Sequence, residues 1–126
     1  MTHLSHELAL ALKEAGFPQP KPEIWQIWHV YGDQSMVAFV YQEKVAVFRP
    51  NHQELYLTKE RFDQLAVFAP DIEHLMSRLP NDCRLEKHGG FPSCRYEHEE
   101  IPRRTTGATL TEAAAKMWLE LHTKKP

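Results

Sequence analysis

The chain has 126 residues, 42% of them apolar and 25% charged, which is the composition of a globular protein and predicts a single domain over residues 1–126. Lys and Arg number 15 against 17 Asp and Glu, and this net charge of -2 argues against a basic nucleic-acid surface or a polybasic membrane patch. The longest apolar run, residues 36–41, is far short of the roughly 20 residues of a membrane span. We therefore expect neither nucleic acid nor membrane as a partner.

The N-terminal residues and the cysteine count bear on the cellular compartment. The chain starts without a cationic region followed by an apolar one, so no signal peptide is visible. Its two cysteines suit a reducing compartment better than a disulfide scaffold. Together these features predict a cytoplasmic protein.

Residues 2–15 predict the first helix. Gly16 suits the left-handed position after the last turn, and Phe17 can pack back on Leu12 in a Schellman motif. Three prolines then favour an extended connector: Pro18, Pro20 and Pro22. The helical stripe, with its period of about 3.6, consists of Leu4, Leu8, Ala11, Leu12 and Ala15.

From residue 24 onward the apolar pattern changes to the alternation of β-strands. Three runs, 24–31, 35–41 and 44–49, are separated by short polar breaks and predict an antiparallel meander. Both faces of the first two runs carry apolar groups, so the sheet is either covered on both sides or used in an interface. We expect Trp25, Ile27 and Tyr31 on one face, and Ile24, Trp28 and Val30 on the other.

The middle of the chain predicts shorter elements. Residues 55–57 fit a short strand, after which Thr58 can cap a helical turn that ends near Leu65. Residues 71–79 carry apolar groups at helical spacing and predict a central helix. The Gly89-Gly90 pair predicts a hairpin between residues 83–88 and 91–97.

The C-terminal part predicts a polar linker and a long helix. The linker covers residues 99–108, and Thr109 with Glu112 forms a capping box at the start of the helix. The fold class is α+β: an antiparallel sheet, made of the three-stranded meander and the C-terminal-half hairpin, with N-terminal, central and C-terminal helices packed on it.

Three segments carry a resemblance to a known family. They are ALKEAGFP at residues 11–18, FAPDIEHLMSRLP at 68–80 and AAAKMWLEL at 113–121. Their order and spacing resemble those of a family of small, uncharacterised α+β proteins encoded by bacteria and by their phages or prophages. The resemblance implies a small intracellular protein of mobile-element origin. Since no activity is known for the family, the resemblance supplies no catalytic residue.

The sequence lacks the common catalytic motifs. It has no G-x-x-x-x-G-K-[ST], G-x-G-x-x-G, H-E-x-x-H, G-x-S-x-G or C-x-x-C segment. Cys94 and His98 do not suit a nucleophile and its base, because four residues along a strand separate them by roughly 13 Å. We therefore predict no catalytic residue and no cofactor.

The hairpin register decides how the two cysteines are placed. With Gly89-Gly90 as a two-residue loop, Cys83 faces Tyr96 and Cys94 faces Leu85, so the cysteines are diagonal neighbours on one face. Their Cα atoms would then be roughly 7–8 Å apart, beyond the usual range for a disulfide. This register favours reduced cysteines on the core face. A four-residue loop, residues 87–90, would instead bring them face to face.

The chain's eight histidines raise the question of a metal site. The densest set of ligand types is Cys83, His88, Cys94 and His98, but His88 falls on the opposite face from the cysteines in the two-residue-loop register. We favour dispersed surface histidines and predict no metal.

A charged segment near residues 96–104 is a candidate rim for a polar-ligand site. The alternative is a solvated strand end whose opposite charges partly neutralise each other, and this interpretation is favoured. The candidate rim residues are Glu97, His98, Glu100, Arg103 and Arg104.

The aromatic residues of the meander carry the main functional prediction. Trp and Tyr are enriched at interfaces because they bury a large area and keep a polar group. We predict a non-enzymatic protein-interaction or phage accessory factor whose partner is an unknown protein or a second copy. The alternative is a small-molecule-binding domain or small enzyme with its site near residues 96–104. The predicted interaction surface is Trp25, Trp28, Tyr31, Phe39 and Tyr41.

Overall fold

The computed structural model describes residues 4–51, 53–97 and 103–122, with His88 described by its backbone alone. These residues form two compact units. The N-terminal unit runs from Ser5 to Ala69, and the C-terminal unit comprises the described residues from Pro70 onward together with Leu4. A single domain stays a prediction, and each unit is described by itself.

The N-terminal unit has one five-stranded antiparallel sheet and two helices. The strand order is β4-β3-β2-β1-β5, so the predicted meander forms the centre and a further strand is added at each edge. The short strand and the Thr58-capped turn are confirmed as β4 and α2. The elements are α1 (His6–Glu14), β1 (Ile27–Val30), β2 (Asp33–Tyr41), β3 (Lys44–Phe48), β4 (Glu54–Thr58), α2 (Lys59–Leu65) and β5 (Val67–Phe68).

Helix α1 has both of its ends capped. Ser5 is the N-cap, and its Oγ accepts a hydrogen bond from Leu8 N at 3.2 Å. At the other end Gly16 has φ +95°, and Phe17 N donates to Leu12 O at 2.8 Å. This is the predicted Schellman motif, which turns the chain sharply into the proline-containing connector.

Strand β1 begins at Ile27 and not at residue 24, because a bulge precedes it. Trp25 has φ +77°, and both Trp25 N and Gln26 O are hydrogen-bonded to Val37 at 3.0 Å. Two residues thus oppose one across the sheet, which interrupts the alternation of faces. The predicted placement of Ile24 and Trp25 on the faces of a regular strand is therefore corrected.

The core of the N-terminal unit lies between the sheet and α2. Trp28 is only 3% exposed, and its ring contacts those of Phe62 and Phe68 with centroids 4.8 and 5.2 Å away. Phe62 comes from α2 and is fully buried. Three valines of β2 and β3 complete the apolar layer: Val37, Val45 and Val47.

The C-terminal unit has a three-stranded antiparallel sheet of order β6-β7-β8 and two helices. Gly89 and Gly90, with φ +61° and +88°, form the predicted two-residue loop, because both central positions of such a turn need positive φ. The predicted α+β class is confirmed, with the strands divided between two sheets. The elements are α3 (Ile72–Ser77), β6 (Cys83–His88), β7 (Phe91–Tyr96), β8 (Arg103–Thr106) and α4 (Leu110–His122).

Strand β8 corrects the predicted polar linker. Its four residues pair with β7, and Thr105 Oγ1 donates to Ala113 O of α4 at 2.7 Å. This side-chain bond ties the strand to the helix, a tertiary contact that polar composition does not reveal. Helix α4 begins as predicted, with Thr109 Oγ1 accepting from Glu112 N at 3.1 Å. Among the described residues, no helix has the length and apolar character needed to span a membrane.

Candidate functional site

The structure separates the five residues of the predicted interaction surface. Trp28 is a core residue and is not available to a partner, which corrects its assignment to the surface. Trp25 and Tyr31 are 74% and 54% exposed but lie outside the regular strand, in the bulge before β1 and the turn after it. Only Phe39 and Tyr41 lie together on an exposed part of the sheet.

Phe39 and Tyr41 belong to a larger exposed face. Cross-strand pairing places Phe39, Ala46 and Tyr56 side by side on β2, β3 and β4. The rings of Phe39 and Tyr56 lie 6.1 Å apart and lean over the fully buried Ala46. We call this face the aromatic surface. Its four members are Phe39, Tyr41, Phe48 and Tyr56.

Sequence reasoning missed Phe48 and Tyr56. Successive residues of each strand face opposite sides of the sheet, and each of these aromatic residues occupies a position where a polar residue is expected. Tyr56 lies between two leucines of β4, which face the opposite side of the sheet. An aromatic residue at the solvent-facing position of a short strand was the signal that could have identified it.

Strand β4 lies at one edge of the sheet. On every second residue of this strand, the backbone N–H and C=O groups point away from the neighbouring strand β3. Lys59 N donates to Glu43 O at 2.6 Å, and Arg49 N donates to Gln53 O at 2.9 Å. Since hydrogen-bonded pairs alternate along an antiparallel ladder, Leu55 and Leu57 bond to β3. Backbone groups of the even-numbered residues, including Tyr56, therefore face outward.

The opposite edge of the same sheet is closed. Strand β5 has two residues, and α1 packs against it. Its outward amide, Phe68 N, donates to Gln19 Oε1 at 3.0 Å, while Gln19 Nε2 donates to Phe17 O at 3.1 Å. A side-chain amide thus occupies the position that an added strand would need. The two edges differ, and β4 is the open one.

The Tyr56 hydroxyl is oriented by a neighbour on its own strand. Its Oη donates to Glu54 Oε2 at 2.9 Å. That hydrogen bond, together with the negative charge of the carboxylate, raises the pKa of Tyr56 above its ordinary value. The ring is therefore neutral at physiological pH and is held over the edge of the aromatic surface.

The predicted ligand rim lies in the C-terminal unit, and two of its members, Glu97 and Arg104, already contact other polar side chains. Glu97 accepts from Arg84 Nε at 3.0 Å and from Arg95 Nε at 3.4 Å. Arg104 Nη1 lies 3.2 Å from Ser93 Oγ and 3.6 Å from Glu86 Oε1. These side chains already contact each other across the sheet, so their charges are partly neutralised before a polar ligand could bind.

The other three residues of the predicted rim are Arg103, His98 and Glu100. Arg103 lies on β8 and is partly buried. His98 and Glu100 lie outside the described residues. A ligand site at this rim therefore stays a prediction.

Cys83 and Cys94 are free thiols placed as the two-residue loop predicts. Cys83 pairs with Tyr96 and Cys94 with Leu85 in the β6–β7 ladder, so the cysteines are diagonal neighbours. Both are buried in the C-terminal unit. Burial raises the pKa of Cys83, and burial followed by the proximity of Cys83 raises the pKa of Cys94 to about 12.

We expect these thiols to resist alkylation in the folded protein. Iodoacetamide at pH 8 should label neither cysteine in buffer and both in denaturant, because only the thiolate reacts and the folded thiols keep their protons. The free energy of unfolding should fall above about pH 9, where the unfolded chain releases thiol protons that folded Cys94 retains until about pH 12. Intact-mass spectrometry counts the labels. Rapid labelling of the folded protein would contradict the buried placement.

Metal-ligating side chains do not gather in the described part of the chain. No group of three or more His, Cys, Asp or Glu residues there could hold a metal ion. Of the predicted densest set, His98 and the side chain of His88 lie outside what the structure describes. In the N-terminal unit the rings of His6 and His29 meet edge to face at 5.3 Å, an aromatic contact.

Comparison with known proteins gives no neighbour for this chain. No protein-family model, no curated protein and no solved structure matches it. The resemblance to small bacterial and phage proteins therefore stays a prediction.

Proposed function

We propose that the chain is a non-enzymatic protein-interaction protein whose partner is a second copy, joined through the open edge of β4. The observation that carries the proposal is the outward-facing backbone of Glu54 and Tyr56, for which the described residues offer no hydrogen-bond partner. Natural edge strands are usually protected by proline, lysine or a bulge. Strand β4, with the sequence ELYLT, has none of these.

The sequence of β4 suits pairing with itself. In an antiparallel pair centred on Tyr56, each Tyr56 faces its equivalent, and the two residues exchange both N–H···O bonds. Glu54 faces Thr58 of the second copy, so no like charges stand opposite each other. On the other face Leu55 stands opposite Leu57, an apolar pair. A two-fold axis through Tyr56 thus satisfies hydrogen bonding, charge and hydrophobicity in one register.

Edge pairing would extend the aromatic surface across the two-fold axis. The two Tyr56 rings, each beside a Phe39 ring, would lie on the same side of the joined sheet. Aromatic cross-strand pairs contribute roughly 0.2–1 kcal/mol relative to alanine pairs. A role as a phage or prophage accessory factor rests on the resemblance alone and stays a prediction.

Two charge-matched variants test the proposal by sedimentation at micromolar to sub-millimolar concentration. Tyr56→Lys places like charges opposite each other on the axis, and we expect the dimer dissociation constant to rise by about tenfold or more. Phe48→Lys adds the same charge to the same face, but on a central strand opposite Glu54, and should leave the dimer intact. A monomeric wild-type protein would contradict the proposal.

The same pair of variants separates edge pairing from stacking of two aromatic surfaces. Stacking would bury Phe48 and Tyr56 alike, because both belong to the exposed face. If Phe48→Lys dissociates the dimer as strongly as Tyr56→Lys does, the contact is face to face and the proposed edge pairing is wrong.

A further inference from the structure

A cleft of about 370 Å³ opens in the N-terminal unit. Three separate segments line it: the end of α1, the proline-containing connector and α2. Trp28, from the core, forms part of its floor. The volume falls at the lower end of the range for small-molecule sites, which is roughly 300–1,000 Å³. The cleft therefore suits a small ligand and excludes a large one.

Hydrogen bonds within the chain hold the walls of the cleft in place. Lys13 Nζ donates to Ala66 O at 3.0 Å, which joins α1 to the end of α2 across the cleft. Gln19 fixes the connector through its bonds to Phe17 O and Phe68 N. Trp28 Nε1 donates to Gln26 Oε1 at 3.0 Å, so the indole is fixed as well. A site ordered in advance loses little conformational entropy when it binds.

The charges around the cleft favour an anion. Its lining carries three lysines, Lys13, Lys21 and Lys59, and one carboxylate, Asp63. Three positive charges and one negative leave +2 at the cleft, in a chain whose net charge is -2. Within the described residues the ammonium groups of Lys21 and Lys59 have neither an ion pair nor a hydrogen bond with another side chain.

The remaining lining includes three apolar rings. They are the indole of Trp28 and the rigid pyrrolidine rings of Pro20 and Pro22. An aromatic group can pack against these rings, while a phosphate or carboxylate attached to it would reach the lysines. We propose that this cleft binds a small planar organic anion of the aryl phosphate or aryl carboxylate class.

Phenyl phosphate is the probe that tests the proposal. Phenol and inorganic phosphate are the control ligands, since each contains only one of its two parts. In ¹H–¹⁵N spectra of the full chain, phenyl phosphate should shift the Trp28 indole signal saturably. The indoles of Trp25, in the bulge, and Trp118, in the C-terminal unit, should stay in place and serve as internal controls. Phenol and inorganic phosphate should each bind at least about tenfold more weakly, since each loses one half of the contacts.

A double variant and its matched control locate the binding. Lys21→Gln with Lys59→Gln should raise the dissociation constant of phenyl phosphate by about tenfold or more, because two charge-assisted contacts are lost. Lys44→Gln with Lys87→Gln removes the same charge from outside the cleft and should change it by less than about twofold.

Three results would overturn the proposal. They are the absence of a saturable Trp28 shift, equal binding of inorganic phosphate, and equal weakening by the two double variants. Each can be read from the same spectra, in which the dispersion of the other signals shows that the variants are folded.

Discussion

Replacing Trp28 with alanine should lower the free energy of unfolding by about 3–5 kcal/mol, the largest single effect expected for this chain. The side chain is 3% exposed and contacts Phe62 and Phe68. Removing it leaves a cavity between the sheet and α2 and also frees Gln26 Oε1 from the indole. Natural domains are stable by roughly 5–15 kcal/mol, so this loss removes a large part of the stability. Urea unfolding followed by circular dichroism measures it.

Trp25→Ala is the matched control for that experiment. Trp25 is 74% exposed, three residues away along the chain, and lies in the bulge before the strand. Its replacement should change the free energy of unfolding by less than about 1 kcal/mol, as surface substitutions usually do. Equal effects of the two variants would show that Trp28 does not occupy the core and would contradict the corrected assignment of this residue.

Replacing Gly107 with alanine should lower the free energy of unfolding by about 1–3 kcal/mol, the cost of overpacking a close contact. A Cβ atom at this position would lie 2.8 Å from Glu112 Cβ and 2.9 Å from Ala113 N. One of these atoms is backbone in the first turn of α4, so the contact cannot be relieved by rotating a side chain. Gly107 N also donates to Pro92 O at 3.2 Å. This hydrogen bond holds the segment between β8 and α4 against β7.

Ala108→Ser is the control for the glycine substitution. Ala108 is the exposed neighbour of Gly107, and the exchange should stay within about 0.5 kcal/mol. Thermal unfolding of both variants, followed by far-ultraviolet circular dichroism, measures the difference. A Gly107→Ala variant as stable as the wild type would mean that the loop shifts freely away from α4.

Local signals in the sequence predicted the helix ends, the meander and the hairpin. Gly16 and Phe17 identified the end of α1, and Gly89-Gly90 identified the hairpin. The sequence left its loop at two or four residues, and the ladder places Cys83 opposite Tyr96, as the two-residue loop predicts. Each of these features depends on residues that are near neighbours in the chain. Such features follow from capping and turn chemistry, which short segments contain in full.

What the sequence did not predict depends on contacts between distant residues. Strand β5 exists because Val67 and Phe68 pair with β1, and β8 because it pairs with β7. The exposed positions of Phe48 and Tyr56 depend on which side of the sheet α2 covers. Trp28 lies in the core for the same reason: Phe62 of α2 packs against its side of the sheet.

The candidate site was predicted only in part. The sequence pointed to an interface on the meander, and Phe39 and Tyr41 do lie on its exposed face. The open edge could not be foreseen, because it depends on β4 being outermost and on Gln19 closing the other edge. The cleft was missed because its lysines are far apart in the sequence.

Hydrogen exchange at the Tyr56 amide is the most direct test of edge pairing. This amide points away from the sheet, whereas those of Leu55 and Leu57 bond to β3. We expect the Tyr56 amide to become protected as protein concentration rises and to lose that protection in Tyr56→Lys. The leucine amides should be protected at every concentration. A Tyr56 amide that exchanges freely at concentrations where sedimentation shows a dimer would contradict the proposed interface.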